Sequence, residues 1–332
     1  MSQPKRSRAD DPGPRPVSGT LPVPAALAAA LRALGPEGDQ WLARLPGLLA
    51  SLEADWSVTA GAPMAGGNSA YVAAAVTADG TPAVLKAAMP PGIAGFSSFD
   101  QQLAALRLAG GAPYARLLRY DRPRRALLVE RLGPALASLG WPAARQLDAM
   151  VRTAARGWRP APGAELPTGA AKARWLAGYV AAAWEELGRP CPQAVPELAV
   201  RYAAQREAAF GPRRAVLVHG DVHAGNVLRA AGPGGGFRLI DPEGLISVPE
   251  HELGVIVRSA GLRAREPARA LEIMTGRCRR AAALAGADPE AVFQWAFIER
   301  VSTGLLLLRL GHRADAERLL AGAGQLATAL AR

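Results

Sequence analysis

His219-Gly220-Asp221-Val222-His223-Ala224-Gly225-Asn226-Val227-Leu228, followed by Leu239-Ile240-Asp241-Pro242-Glu243-Gly244, is the stretch on which the reading of this chain turns. Each acidic group follows a short apolar run, which places it at a strand end or in a loop where its carboxylate can face a cleft. Asp221 is placed to accept or orient the proton of an attacking hydroxyl. Asn226 and Asp241 offer oxygen ligands of the kind that Mg²⁺ requires. A cation held there would bridge nucleotide phosphates and neutralise charge as it develops, so the spacing suits phosphoryl transfer. An Asp after a strand is by itself usually a cap or turn residue. The joint pattern of Asp221, Asn226 and Asp241 within 21 residues carries the inference.

Around this stretch the pattern is strand-rich: Val216-Leu-Val-His219, Val227-Leu228, a Gly-rich turn at Gly232-Pro-Gly-Gly-Gly236, then Phe237-Arg-Leu-Ile240. The rest of the chain beyond Pro134 has helical spacing, with helices expected near 142–157, 170–188, 194–210, 266–285, 288–311 and 313–331. Upstream, residues 56–132 read as a small sheet carrying one helix. Its strands run from Trp56, over Ala70–Val76, from Pro82 to Met89, over Ala115–Tyr120 and over Arg125–Leu132. Asp79-Gly80 marks a tight hairpin turn, and Phe96–Leu108 is the expected helix, stopped by Gly110-Gly111. Pro22–Glu53 reads as two helices broken at Gly35-Pro36. Residues 1–20 are rich in Pro, Gly and charge without periodicity and are expected to form a disordered tail. The expected organisation is therefore a tail (1–20), N-terminal helices with a small sheet (21–132), and a helical part carrying the acidic stretch (133–332).

The motifs resemble the aminoglycoside phosphotransferase family, whose catalytic loop is written His-Gly-Asp-x-His-x-x-Asn and is followed by Ile-Asp-Pro or Ile-Asp-Trp. In local texture the chain is most similar to the streptomycin 6-phosphotransferase group, also known as aminoglycoside/hydroxyurea resistance kinases. Ala83-Val-Leu-Lys86, Ala105-Leu-Arg-Leu-Ala-Gly-Gly111, Leu117-Leu118 before Tyr120-Asp121, and Leu127-Leu-Val-Glu130-Arg-Leu132 occur in that family's order. The resemblance implies an α+β, two-lobe protein-kinase-like fold: an antiparallel-sheet small lobe, a mostly helical large lobe, and ATP between them. It implies Asp221 as catalytic base, Asn226 and Asp241 as holders of Mg²⁺, and Lys86 on the α- and β-phosphates. Gly66, Gly67, Asn68 and Ser69 would form the turn over the phosphates. Glu130 to Leu132 would meet adenine through backbone groups, and His219 and His223 would organise the loop. The implied acceptor is an aminocyclitol antibiotic such as streptomycin. Hydroxyurea or another small hydroxylated metabolite is compatible.

The chain departs from the family pattern at three positions. Gln102 stands where the helix after the lysine strand usually carries a Glu that pairs with that lysine. In Ser247-Val248-Pro249-Glu250-His251-Glu252-Leu253, Val248 lacks a carboxylate that the family often has, and Glu252 replaces Asp. These departures motivate a second reading, a non-catalytic nucleotide-binding protein, against which Lys86, Asp221, Asn226 and Asp241 stand. A third, a metallophosphoesterase opening at Asp221-Val222-His223, would need further His and Asn ligands. The chain has only four histidines, at 219, 223, 251 and 312, and no Gly-Asn-His.

Composition bounds the rest. With 332 residues, half of them hydrophobic and a fifth charged, the chain can bury a sizeable core. Two cysteines argue against a secreted disulfide framework and lead us to expect a reducing cytoplasm. No run approaches the ~20 unbroken apolar residues of a membrane span, so no membrane partner is expected. The net charge is +11, yet only Lys5, Lys86 and Lys172 among the 39 basic residues are lysine. The arginines are dispersed and no nucleic-acid motif accompanies them, so no nucleic-acid partner is expected. Glu165, Glu185, Glu186, Glu197, Glu243 and Glu250 could line a cleft for a cationic acceptor, but surface carboxylates are the default for all six.

Overall fold

The computed structural model describes residues 22–64, 69–91, 98–232, 235–262 and 264–331. Its described residues fall into two units, one built from residues up to 91 together with 115–131, the other from 98–114 together with 132–331.

The first unit opens with α1 (Ala25–Ala33) and α2 (Pro36–Trp56). Pro36 begins α2 where a missing N–H costs nothing, and Glu37 and Asp39 in the first turn match the positive end of the helix dipole. Its sheet contains β1 (Val58–Pro63), β2 (Ala70–Thr77), β3 (Pro82–Ala88), β4 (Leu117–Asp121) and β5 (Ala126–Glu130). Neighbours follow the order β1-β2-β3-β5-β4, all antiparallel. The β2–β3 hairpin turns where expected, with Gly80 at φ 82°. Leu27, Leu45, Leu49 and Leu52 of the two helices share one core with Tyr71, Leu85 and Leu128 of the sheet. The small side chains of β2 and β3 at Ala73, Ala75, Ala83 and Ala87 belong to the same core, which lets the helices lie close to the strands.

The second unit begins with α3 (Phe99–Ala109), capped by the Ser98 side chain on the Gln101 N–H and ended by Gly110 at φ 65°. Then come α4 (Ala143–Ala155), α5 (Gly169–Glu186) and α6 (Ala194–Ala208). Two short antiparallel ladders follow. One joins β6 (Val216–Val218) to β9 (Leu245–Ser247), and the other joins β7 (Val227–Arg229) to β8 (Phe237–Leu239). After them come α7 (Pro249–Val257), α8 (Pro267–Ala285), α9 (Pro289–Arg309) and α10 (Arg313–Leu330).

The six helices expected beyond Pro134 are all present within two residues of their expected ends. Besides short 3₁₀ turns at Leu136–Leu139 and Pro212–Arg214, β9 and α7 were not expected, and in the first unit Trp56, expected to open a strand, instead ends α2, with β1 starting at Val58. No helix is expected over Ser247–Leu253 because Pro249 and the polar Ser247, Glu250, His251 and Glu252 interrupt any apolar stripe. In the fold those side chains are buried, with Glu250, His251 and Glu252 each at most 1% exposed. The hydrophobic period is therefore hidden by polar residues that find partners inside. Gly254 allows α7 and α9 to touch, since a Cβ there would lie 2.8 Å from the Ala296 nitrogen. α9 is long enough and apolar enough to cross a membrane, with mean hydropathy 1.3, but 72% of that window is buried within the fold, as in a core helix.

Candidate active site

The residues of the expected catalytic loop are positioned by the two short ladders. β6 delivers the chain to His219 and β9 receives it after Gly244, while the β7–β8 ladder closes between them. The Ile240 N–H donates to the Asn226 carbonyl at 3.0 Å, which continues the β7–β8 pairing by one step and sets Asn226 beside the Ile240-Asp241 peptide. The Glu243 N–H donates to the His219 carbonyl at 2.8 Å, tying the two motifs together.

Asp221 lies at the centre of this arrangement with its side chain 35% exposed. Its backbone N–H donates to His219 Nδ1 at 3.2 Å, and its carbonyl accepts from Asn226 Nδ2 at 3.0 Å. Its Oδ1 accepts from Arg258 Nη2 at 2.9 Å. Its Oδ2 lies 3.3 Å from Asn226 Nδ2 and 3.6 Å from His223 Nε2. Burial alone would raise the carboxyl, but Arg258 and then His223 outweigh it and hold Asp221 below the usual carboxylate value. The group is therefore ionised at neutral pH.

His219 is fully buried and stacks on Tyr114, with ring centroids 5.7 Å apart. Because Nδ1 accepts from Asp221 N–H, Nε2 carries the proton and donates it to the Ile240 carbonyl at 2.7 Å. Burial pushes the imidazole down to about 4, so the ring stays neutral. His223 Nδ1 accepts from the Gly225 N–H at 3.1 Å. Both histidines shape the loop in this structure. Gly220 has φ 89°, and a Cβ there would lie 3.0 Å from both Glu243 Cβ and Leu245 Cδ1. Only glycine fits that conformation in that space.

Glu252 lies under the loop. Its Oε2 accepts from the His219 N–H at 2.6 Å and its Oε1 from the Gly220 N–H at 3.0 Å. Burial pushes its carboxyl up to about 7 against the pull of those two donors. One carboxyl group thus takes two consecutive buried amides. Val248 occupies the N-cap of α7 and supplies no side-chain cap.

Of the six carboxylates named as possible cleft residues, Glu165, Glu185, Glu186 and Glu197 are exposed, as the default expects. The expectation of surface placement fails at the other two. Glu250 is 1% exposed and paired with Arg214 at 2.5 Å. Glu243 accepts from the ammonium of Lys172 at 2.9 Å, with the lysine side chain only 5% exposed. Both depart because the segment from Pro242 to Leu253 folds inward as a loop, β9 and α7. Lys172, on α5, is one of the functional-loop contacts that the motifs miss. Next to this pair, His251 lies 3.2 Å from both Ser247 Oγ and Glu299 Oε1, with its ring against Trp295.

Asn226 and Asp241 suit a hard divalent cation by donor chemistry. The Asn226 amide nitrogen is spent on Asp221, which leaves its carbonyl oxygen as an acceptor, and Asp241 is an exposed carboxylate in the left-handed region at φ 59°. Two protein oxygens are what Mg²⁺ takes when phosphates and water complete its shell. No group of three or more His, Cys, Asp or Glu side chains suited to a metal occurs among the described residues. That is the opposite of the many-ligand set that a two-metal phosphoesterase needs.

Of the other expected nucleotide-site residues, Lys86, Ser69 and Glu130 belong to the first unit and Leu132 to the second. Lys86 is half-buried on β3, opposite Val72 on one side and Leu127 on the other. Ser69 is exposed, and its carbonyl accepts from the Met89 N–H at 3.0 Å. Gly66, Gly67 and Asn68 lie outside the described residues. Glu130 ends β5. Its N–H donates to the Arg116 carbonyl at 2.9 Å and its Oε1 accepts from the Arg116 N–H at 2.8 Å. Leu132 is half-buried, as is Gln102 on α3.

A two-layer small unit on an antiparallel sheet, a helical unit, and a loop that gathers Asp, Asn and Asp from two short ladders define a protein-kinase-like phosphotransferase acting on a hydroxyl. The chain belongs to the aminoglycoside/hydroxyurea antibiotic resistance kinase family, whose pattern it matches over residues 55–321. It is 32% identical over 327 residues to a hydroxyurea phosphotransferase from Kitasatospora aureofaciens, covering 92% of this chain and 86% of that protein. It is 31% identical over 245 residues to a streptomycin 6-kinase from Streptomyces glaucescens, covering 71% of this chain and 74% of that one. Among solved structures it is similar in fold to the choline kinase LicA from Streptococcus pneumoniae, with a TM-score of 0.56, 14% identity, and coverage of 85% and 99% of the two chains.

Proposed function

We propose that this protein transfers the γ-phosphoryl group of ATP to a hydroxyl of a small-molecule antibiotic, with a streptomycin-like aminocyclitol as the first candidate acceptor. The single observation that carries this reading is the convergence on one loop of Asp221, ionised and hydrogen-bonded, with Asn226 against it and Asp241 on the adjoining hairpin. Asp221 accepts or orients the proton of the acceptor hydroxyl as the new O–P bond forms, and the bond from the γ-phosphorus to the β–γ bridging oxygen breaks to release ADP. Asn226 and Asp241 are the residues that would hold Mg²⁺, which supplies charge neutralisation on the phosphates when bound. Lys86 supplies a point charge for the α- and β-phosphates, as the resemblance implies. The resemblance implies that Gly66, Gly67, Asn68 and Ser69 would form the turn over the phosphates and that backbone groups from Glu130 to Leu132 would meet adenine. His219 and Glu252 keep the loop backbone in place so that no reorganisation is needed at the moment of transfer.

A second acceptor, hydroxyurea, is favoured by a specific observation. The relative named for it aligns over 92% of this chain, against 71% for the streptomycin kinase. The test is ADP release from Mg·ATP with streptomycin, with hydroxyurea, and with neither, using Asp221→Asn as the control. Acceptor-stimulated release that vanishes in Asp221→Asn supports the reading and names the acceptor. Stimulated release that survives in the variant overturns the assignment of the base. Absence of stimulation together with absence of Mg·ATP binding overturns the nucleotide site itself.

A further inference from the structure

Arg258 is the residue immediately after α7, and its side chain is 16% exposed. It donates Nη2 to Asp221 Oδ1 at 2.9 Å. The main chain of Asp221 is fixed separately, through its N–H on His219 and its carbonyl on Asn226. Those bonds do not set the side-chain torsions. Of the contacts that could, Asn226 Nδ2 donates to Oδ2 at 3.3 Å and His223 Nε2 lies 3.6 Å from it, so Arg258 at 2.9 Å is the shortest.

Arg258 is held in its turn. Arg300 on α9 is fully buried, and its Nε donates to the Arg258 carbonyl at 2.6 Å while its Nη2 donates to the Ala260 carbonyl. A buried guanidinium thus satisfies the free carbonyls at the end of α7 and complements the negative end of that helix. A chain of hydrogen bonds runs from the core helix α9, through the end of α7, to one oxygen of Asp221.

We infer that Arg258 is a positioning residue for phosphoryl transfer: it pins Asp221 Oδ1, which leaves Oδ2 turned to the acceptor hydroxyl. The inference rests on Asp221 being the base. A neighbouring cation has two opposed effects on a base, since it fixes orientation and lowers proton affinity. In phosphoryl transfer the transition state is loose and asks little of the base's proton affinity, whereas misplacement by about 1 Å can cost about 100-fold. Orientation decides, so removing the guanidinium lowers turnover.

The test compares Arg258→Met and Arg258→Lys with wild type and Asp221→Asn, reading ADP release from Mg·ATP with streptomycin, with hydroxyurea and with water as acceptor. Arg258→Met is expected to lose about 30- to 100-fold in kcat, with KM for Mg·ATP and acceptor within about 2-fold. Arg258→Lys, which restores a donor without the fork, is expected to recover part of that loss. In the Asp221→Asn background Arg258→Met should add less than about 3-fold, because the two act as one unit. A crystal structure of Arg258→Met should show the Asp221 carboxylate rotated. Wild-type kcat in folded Arg258→Met while Asp221→Asn is inactive would overturn the positioning role alone. Full activity in Asp221→Asn would overturn the base, and the inference with it. If Arg258→Met does not fold, Arg258→Lys decides: a kcat loss of at least about 3-fold at unchanged KM supports the inference, and wild-type kcat overturns it.

Discussion

The carboxylate of Glu252 and the backbone of His219 are joined at 2.6 Å, and the same carboxylate takes the next amide, from Gly220, at 3.0 Å. Both amides are buried in the strand-to-loop turn that presents Asp221. Glu252→Ala leaves two donors unsatisfied, each costing about 1–3 kcal/mol. We expect a loss of about 2–5 kcal/mol in denaturant unfolding and a fall in turnover beyond the fraction unfolded. Glu252→Asp, with the side chain the family more often has here, should recover part of both. An Ala variant as stable as wild type would show that the clamp contributes nothing.

The pH dependence of stability has a predictable sign at two groups. His219 is depressed to about 4 in the fold, so between its unfolded value and 4 the unfolded chain binds the extra proton. Its contribution is complete above the unfolded value of about 6.5 and is lost as pH falls through that window. Glu252 is raised to about 7, so its contribution is present below the unfolded carboxylate value and is lost as pH rises through 7. His219→Gln should therefore lose less stability than wild type on acidification from pH 7.5 to 4.5. Glu252→Gln should lose more over the same span. Urea titrations at several pH values check both, and parallel curves for all three proteins would refute the shifts.

Asp241 combines a charge with a left-handed backbone, which Asn tolerates nearly as well as Asp. Asp241→Asn should keep the melting temperature within about 2 °C, because it adds no backbone strain. Its Mg²⁺-dependent affinity for ATP should fall by at least about 10-fold, since the proposed carboxylate ligand is lost. Titration of ATP with and without Mg²⁺ separates the two effects. Unchanged affinity in the presence of Mg²⁺ would remove Asp241 from the metal site.

Lys172 and Glu243 form a pair with one partner almost fully enclosed. Removing one member strands the other, at a cost of about 3–5 kcal/mol for a buried pair and somewhat less here, because Glu243 is 25% exposed. Lys172→Met and Glu243→Gln should each destabilise by about 2–4 kcal/mol, and the double variant by clearly less than their sum. Strict additivity in thermal or urea unfolding would show that the two side chains do not act as a pair.

Gly244 has φ 77°, and a Cβ there would lie 2.5 Å from the Gln101 carbonyl on α3. Gly244→Ala meets both a backbone penalty and a clash with main chain that cannot swing away. A loss of about 2–4 kcal/mol is expected from strain and overpacking together, read as a fall in melting temperature. Melting unchanged from wild type would mean that α3 can retreat without cost.

Much of the fold is legible in the sequence because helical and strand periods are long and unbroken where one face meets a core, as in α2 and β3. α7 is not legible for the reason that makes it useful: it is buried all round, and its Glu250, His251 and Glu252 pair inside the protein. The spacing of Asp221, Asn226 and Asp241 picks out residues that do come together. Arg258 is invisible by the same reading, since one arginine among 36 spread along the chain carries no signal until its partner in space is known. Lys172 did carry a signal that motif reading passes over. In a chain that uses lysine three times, a lysine within a helix calls for a reason.

That scarcity has an experimental consequence. The ammonium of Lys172 is closed off by Glu243, whose N–H is bonded to the carbonyl two residues before Asp221. An acylating reagent can reach this amine only when α5 parts from the loop that carries Asp221. The rate at which Lys172 is acetylated in the native protein, set against that of unfolded chain, therefore counts the spontaneous openings of this junction. With so few other amines to compete, mass spectrometry of a single peptide reads that breathing motion directly.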